Sequence, residues 1–193
     1  MPDPSSMPLL KIAIYPEDEK MLRDRCRPVV KVTPRLQRLI DDMAETMQDA
    51  AGVGLAAPQV FVNQRFFIYE WNDRVDALIN PEVLEVEGEA SEEEGCLSLP
   101  RLQGKVVRPT RALVSGVNRR GRRVRIDAED YLARIFLHEI DHLNGVLFID
   151  KADRTSLHWL TEEEEKERVA RVHEVLEKRR RGEPVDVDPR GAG

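Results

Sequence analysis

His138 and His142 stand four residues apart with Glu139 between them, in the run His138-Glu139-Ile140-Asp141-His142. On a helix, four residues advance the chain by about 400° and about 6 Å, so both imidazoles leave one face and can share one ion. Glu139 lies about 100° round from His138, near enough to exchange protons with a water on that ion without being a ligand. A divalent ion lowers the pKa of such a water, and a neighbouring carboxylate can take the released proton. That is the chemistry of metal-assisted hydrolysis. Two histidines can also decorate a helix surface, so the surroundings decide. Leu132, Ile135, Phe136, Ile140 and Leu143 make the segment apolar round much of its circumference, which marks a core helix. Polar side chains buried there need partners, and a metal is a natural one. His158 and His173 have no such constellation and read as surface residues.

Two histidines do not complete a catalytic metal site; a third protein ligand is usual, with water at the open position. The longer pattern HExxHxxGxxH fails at its last position, because Gly145 is in place but Phe148 cannot bind a metal. A downstream glutamate is another option, and Glu162 to Glu165 lie at a conceivable distance. That acidic run is better explained as the first turn of a solvated helix. The remaining candidate is Cys96, in Glu94-Gly95-Cys96-Leu97-Ser98. A lone free cysteine usually reads as a small buried hydrophobe. Beside a glycine and an incomplete site, a thiolate ligand is the better reading.

Patterning along the chain gives the helices and strands around these groups. The chain has 193 residues, enough for one domain with a sizeable core. Residues 1–8 read as a mobile lead-in. A helix is expected over 34–51, with Thr33 as its N-cap, Pro34 in its first turn and Gly52 as its stop. Short strands are expected at 65–69, 83–86, 105–107, 112–117 and 122–126, separated by turn signals such as Asn80-Pro81 and Arg120-Gly121. The histidine-bearing helix is expected over 128–144, capped by Asp127 and stopped by Gly145. A last helix is expected over 162–180, with Thr161 and Glu164 as a capping box. The tail 182–193, rich in Pro and Gly, reads as disordered. The sum is a single α+β domain over 1–181: antiparallel strands packed around a central metal-binding HExxH helix, with an N-terminal and a C-terminal helix.

Three segments together resemble the peptide deformylase family: Gly52-Val53-Gly54-Leu55-Ala56-Ala57-Pro58-Gln59, Glu94-Gly95-Cys96-Leu97-Ser98, and His138-Glu139-Ile140-Asp141-His142. Their order and approximate spacing match over roughly residues 8 to 150. The resemblance implies hydrolytic removal of formyl from the N-terminal formyl-methionine of nascent polypeptides, releasing formate. It implies that Cys96, His138 and His142 bind the metal and that Glu139 is the general acid/base. It further implies that the Gln59 amide and the Leu97 N–H face the formyl oxygen as negative charge develops. The peptide would lie extended along Val53, Gly54 and Gly95, with its methionine near Val53, Tyr131, Arg134, Ile135 and His138. Arg134 and Tyr131 are polar for such a pocket, and the expectation is that their stems line it while their polar ends reach water. Softness and geometry leave Fe2+ and Zn2+ both compatible; the family puts Fe2+ first and Zn2+ as the alternative.

Composition bounds partners and setting. A net charge of −6 argues against wholesale attraction to nucleic acid or anionic membrane, without excluding a local basic patch. No direct nucleic-acid function is expected from it. No apolar run approaches the roughly 18 residues that span a bilayer, the start lacks signal-peptide features, and two cysteines imply no disulfide framework. A cytoplasmic setting is expected. The last helix carries Val169, Val172 and Leu176 as a narrow apolar stripe beside Arg168, Arg171, Lys178, Arg179, Arg180 and Arg181. It reads either as packed on the domain or as a dock near the ribosomal exit, where N-formylmethionyl chains emerge.

Overall fold

In the computed structural model, which describes residues 9–72 and 74–181, the first long helix forms as its cap dictates. A short helix, α1 (Glu19–Arg23), precedes it. Helix α2 spans Pro34–Asp49, and the Thr33 hydroxyl accepts from the Leu36 N–H at 3.2 Å. Its end differs from expectation. The left-handed residue is Ala51, at φ 55°, while Gly52 serves a packing need: a Cβ there would lie 2.7 Å from Leu97 Cδ1.

Strands β1 (Gly54–Ala56), β2 (Phe66–Trp71), β3 (Arg74–Glu87), β6 (Arg111–Asn118) and β7 (Arg123–Glu129) form one antiparallel sheet in the order β1-β2-β3-β6-β7. Strands β4 (Ala90–Cys96), β5 (Leu99–Arg108) and β8 (His158–Trp159) form a second, in the order β4-β5-β8. Helix α3 (Asp130–Leu143) carries the histidines, and α4 (Glu162–Arg180) closes the described chain. The expected α+β architecture with antiparallel strands and a C-terminal helix is therefore present. The lead-in 1–8 and the tail 182–193 lie outside the described residues.

The larger sheet is covered on both faces. Phe67 and Leu78 point to α3, where Phe136 meets Phe67 edge-on at 5.4 Å between ring centroids. Their neighbours Phe66, Ile68, Ala77 and Ile79 point to Ile40, Met43 and Met47 of α2. Two-sided burial is why residues 66–69 of β2 read as an unbroken apolar run rather than an alternating one. A third cluster, with Ala13, Leu22, Leu99, Val106 and Phe148, joins the smaller sheet to α1 and the segment after α3.

Two expected boundaries move for identifiable reasons. Asn80-Pro81 is no turn: β3 runs through it with a register shift between Ile79 and Glu82. Asn80 sits at φ 51°, and its side chain brackets Val29, donating to the Val29 carbonyl and accepting from its N–H, both at 2.8 Å. Likewise Asp127 caps no helix. Strand β7 stays paired with β6 as far as Arg111↔Glu129, and Asp127 accepts from Arg111 at 2.7 and 2.8 Å, so α3 starts at Asp130. By contrast α4 begins as read, with Thr161 N–H donating to Glu164 and Glu164 N–H donating back to the Thr161 hydroxyl.

Asn80→Ala should cost about 1–3 kcal/mol, because it orphans both Val29 backbone groups. Urea unfolding should show a lower midpoint at unchanged slope; an unaltered midpoint would show that Val29 finds other partners.

Candidate metal centre

The end of β4 meets one face of α3. Cys96 Sγ lies 3.2 Å from His142 Nε2, and one donor atom each of Cys96, His138 and His142 lie within 4.8 Å of one another. This is the one such cluster among the described residues. Glu94 Oε2 sits 3.0 Å from His138 Nδ1, which leaves Nε2 of that ring for the cluster. Such an outer bond fixes a ligating imidazole's tautomer and orientation. His142 is buried, and burial pushes its pKa well below the usual value, which favours the neutral ring. At His138 burial acts the same way, but bonds to Cys96 and Glu94 outweigh it and favour positive charge there. Two buried side-chain atoms have no hydrogen-bond partner among the described residues, Glu139 Oε2 and His142 Nδ1. Glu139 is 4% exposed, and burial pushes its pKa up to about 7. A soft thiolate, two imidazoles and an unengaged carboxylate oxygen suit a divalent transition metal and a water beside it.

Glu94 holds this arrangement from behind. It accepts from Arg108 at 2.6 and 2.9 Å and from Arg134 at 2.7 Å, in addition to His138. Burial alone would raise its pKa, yet the Arg108 and His138 bonds prevail and hold it well below the ordinary carboxylate range. Arg108 also donates to Asp141 at 2.6 Å, and Lys151 donates to Asp141 at 2.7 Å. Arg134 further donates to the carbonyls of Val106 and Ala90, both at 3.0 Å. The expectation that its polar end reaches water is thus corrected: its guanidinium is turned inward to Glu94, because a buried carboxylate needs cations around it.

Gln59 sits in a 310 turn, Ala57–Val60, that follows β1. Its Oε1 accepts from the Ala56 N–H at 2.8 Å, which fixes the amide so that Nε2 faces Ser98 Oγ at 3.2 Å and Cys96 Sγ at 3.6 Å. An N-terminal strap ties both segments together: Ala13 N–H donates to the Gln59 carbonyl at 2.7 Å and Tyr15 N–H to the Ser98 carbonyl at 2.9 Å. Leu97 follows Cys96 in a tight turn, its N–H given to no other group among the described residues.

A cleft of about 280 Å³ opens over these groups. Val53, Gly54, Gly95, Tyr131, Arg134 and Ile135 all line it, as do Gln59, Cys96, Leu97, His138 and Glu139; His142 lies behind, fully buried. Both β1 and β4 are edge strands. The Val53 carbonyl is already used by the Glu70 N–H at 2.9 Å, so by strand alternation it is Gly54 whose backbone groups face the open edge. Glu165 and Arg168 of α4 form part of the mouth, paired to each other at 2.9 and 3.0 Å. The acidic run 162–165 contributes nothing to the donor cluster, whose sulfur member is Cys96. No local signal in the sequence singles out Glu94, Ser98, Arg108 or Asp141. Glu94 ends a run of three glutamates, and only its register on β4, facing inward where Glu93 faces out, separates it from its neighbours.

Two antiparallel sheets enclosing a helix, with a Cys-His-His cluster and a buried carboxylate under a cleft, define the class as a metal-site hydrolase. The chain matches the polypeptide deformylase family over residues 9–158. It is 50% identical over 150 residues to the peptide deformylase of Halothermothrix orenii, covering 77% of this chain and 96% of that protein. It is similar to the crystal structure of the Thermotoga maritima peptide deformylase, with TM-score 0.73 and 42% identity over 76% of this chain and 99% of that one. The Met-Ala-Ser-bound enzyme of Acinetobacter baumannii gives TM-score 0.71 and 34% identity, over 76% and 99%. This chain belongs to the peptide deformylase family, enzymes that remove the N-formyl group from nascent polypeptides.

At Gly54 any side chain would strike Glu139: a Cβ would lie 2.9 Å from its carboxyl carbon. Gly54→Ala should therefore leave a folded protein with its metal content intact but formate release at least about tenfold lower, the expected cost of displacing the buried carboxylate beside the donor cluster. Full activity in that variant would mean that Glu139 tolerates the shift.

Proposed function

We propose that Cys96, His138 and His142 hold one divalent ion, Fe2+ first and Zn2+ as the alternative, and that Glu139, Gln59 and Leu97 complete the deformylation centre. The observation that carries this is the meeting of one sulfur and two imidazole nitrogens within 4.8 Å, beside a buried carboxylate with a free oxygen. When bound, the ion supplies Lewis acidity, lowering the pKa of the attacking water and polarising the formyl group. Glu139 takes the proton from that water as its oxygen bonds to the formyl carbon. It then delivers the proton to the amine as the carbon–nitrogen bond breaks, leaving formate and a free N-terminus. The Gln59 Nε2 and the Leu97 N–H donate to the formyl oxygen as charge builds on it. The Ala56 bond supports this role for Gln59, since a fixed donor needs no reorganisation during the reaction.

The substrate lies extended, pairing with the open edge at Gly54 and with Gly95. Its methionine packs against Val53, Tyr131, Ile135 and His138, with the stem of Arg134 below. The Met-Ala-Ser peptide bound to the Acinetobacter relative supports this reading, because a chain beginning with free methionine is what deformylation leaves.

The reading extends to α4. Val172 is buried, Arg168 donates to the Ala51 carbonyl at 3.2 Å and His173 to the Asp49 carbonyl at 3.0 Å, which supports a helix packed on the domain. Its outward basic residues, Arg171 and Arg181 among them, face the ribosomal exit in a cytoplasmic setting. The side chains of Leu176, Arg179 and Arg180 lie outside the described residues. No helix among the described residues is long and apolar enough to cross a membrane.

Glu139→Ala should stay folded and metal-loaded while formate release from a formyl-methionyl peptide falls by about 10²–10⁴-fold; unchanged turnover would remove Glu139 from the chemistry. Cys96→Ala should lose its metal on elemental analysis of anaerobically purified protein, and retention of a full complement would rule out the thiolate ligand.

A further inference from the structure

Besides the basic end of α4, the overall charge of −6 conceals a further concentrated region of the opposite sign. The hairpin between β6 and β7 reads Arg119-Arg120-Gly121-Arg122-Arg123-Val124-Arg125, five arginines and no acid. Its tip is stiff. Asn118 Oδ1 accepts from the N–H groups of Arg120 and Arg122, both at 3.0 Å, and Asn118 N–H donates to the Arg122 carbonyl at 2.9 Å. Gly121 supplies the left-handed residue, φ 78°, that closes the turn. The base is anchored on α2, where Arg119 donates to Asp41 at 2.6 Å and Gln37 to the Arg119 carbonyl at 3.4 Å.

The other four guanidinium groups are left over. Arg120, Arg122, Arg123 and Arg125 are exposed, and none has a carboxylate partner among the described residues. Asp127, two residues further along the same face, is taken by Arg111. Exposed like charges so close together repel, so their concentration disfavours the free protein slightly and favours a polyanion. Val124, the apolar residue of the run, packs against the core beneath the sheet. The surface therefore offers forked donors without any group to insert into a bilayer.

We propose that this hairpin docks on the phosphate backbone of RNA. The inference goes beyond deformylation and does not depend on α4. The guanidinium fork matches phosphate oxygens, and a pre-ordered turn loses little entropy on binding. Position favours it as well. No arginine of the hairpin lines the cleft, and Asp41, its anchor, lies nine residues or about 14 Å along α2 from Ala50 at the cleft wall. An RNA surface held at the hairpin leaves the cleft open to a chain emerging beside it.

Fluorescence anisotropy of a labelled RNA duplex of about 20 base pairs, titrated with the full chain in about 50 mM salt, reads this surface. Affinity should fall with rising salt at a log–log slope of about −3 to −4, near one unit per phosphate contact. The variant R120E/R122E/R123E/R125E should bind at least about tenfold more weakly at low salt, as loss of several phosphate contacts requires. Formate release from a short formyl-methionyl peptide should be the same in both proteins, which also shows that the variant folds. If charge reversal prevents folding, R120Q/R122Q/R123Q/R125Q replaces it and should still weaken binding measurably. Equal affinity in wild type and variant, or no binding by wild type at low salt, overturns the proposal. So does hairpin-dependent binding that is tighter to phosphatidylglycerol vesicles or to polyglutamate than to the duplex.

Discussion

Glu94 is the point at which the site and the fold become one object. A carboxylate taken out of water costs several kcal/mol unless cations and donors surround it closely. Here Arg108 comes from β5, Arg134 and His138 from α3, and Glu94 itself from β4. Each contact fixes one element against another. The geometry that keeps the carboxylate ionised also sets the distance from β4 to α3, and hence from Cys96 to the imidazoles. The cluster of donor atoms is in this sense downstream of an ion-pair network that shares only His138 with it.

The backbone does comparable work on the other side of the cleft. Gln59 is aimed by the Ala56 N–H, and the strap at Ala13 and Tyr15 joins the Gln59 and Ser98 segments by two main-chain bonds. Neither depends on side-chain identity in the strap, which is why the N-terminal segment shows no motif. Two-sided coverage of the five-stranded sheet keeps β1 and β2 rigid beneath these groups.

What could be read from the residues follows the range of the forces involved. Local signals sufficed for α4 with its Thr161–Glu164 box, for the Thr33 cap of α2, and for two histidines one helical turn apart. The third donor was legible too, because an incomplete pair of histidines raises a question that Cys96 answers. Long-range partners defeated the local signals elsewhere. Asp127 looks like a cap until Arg111 claims it, and Asn80-Pro81 looks like a turn until Val29 fills the bracket made by its side chain. Arg134 looked like a solvent-reaching pocket residue because nothing local distinguishes Glu94 from Glu92 and Glu93. Strand β1, three residues long, carries too little pattern to be read at all.

The edges of β1 and β4 have a consequence for which guests the cleft can admit. An unpaired strand edge can add a further strand only from a backbone whose own donors and acceptors are still unspent. The end of a chain not yet committed to a helix or sheet meets that condition; one already built into a folded domain does not. On the proposed pairing with these edges, selection at this cleft is partly a matter of timing, with the opportunity for reaction closing as the guest acquires structure of its own.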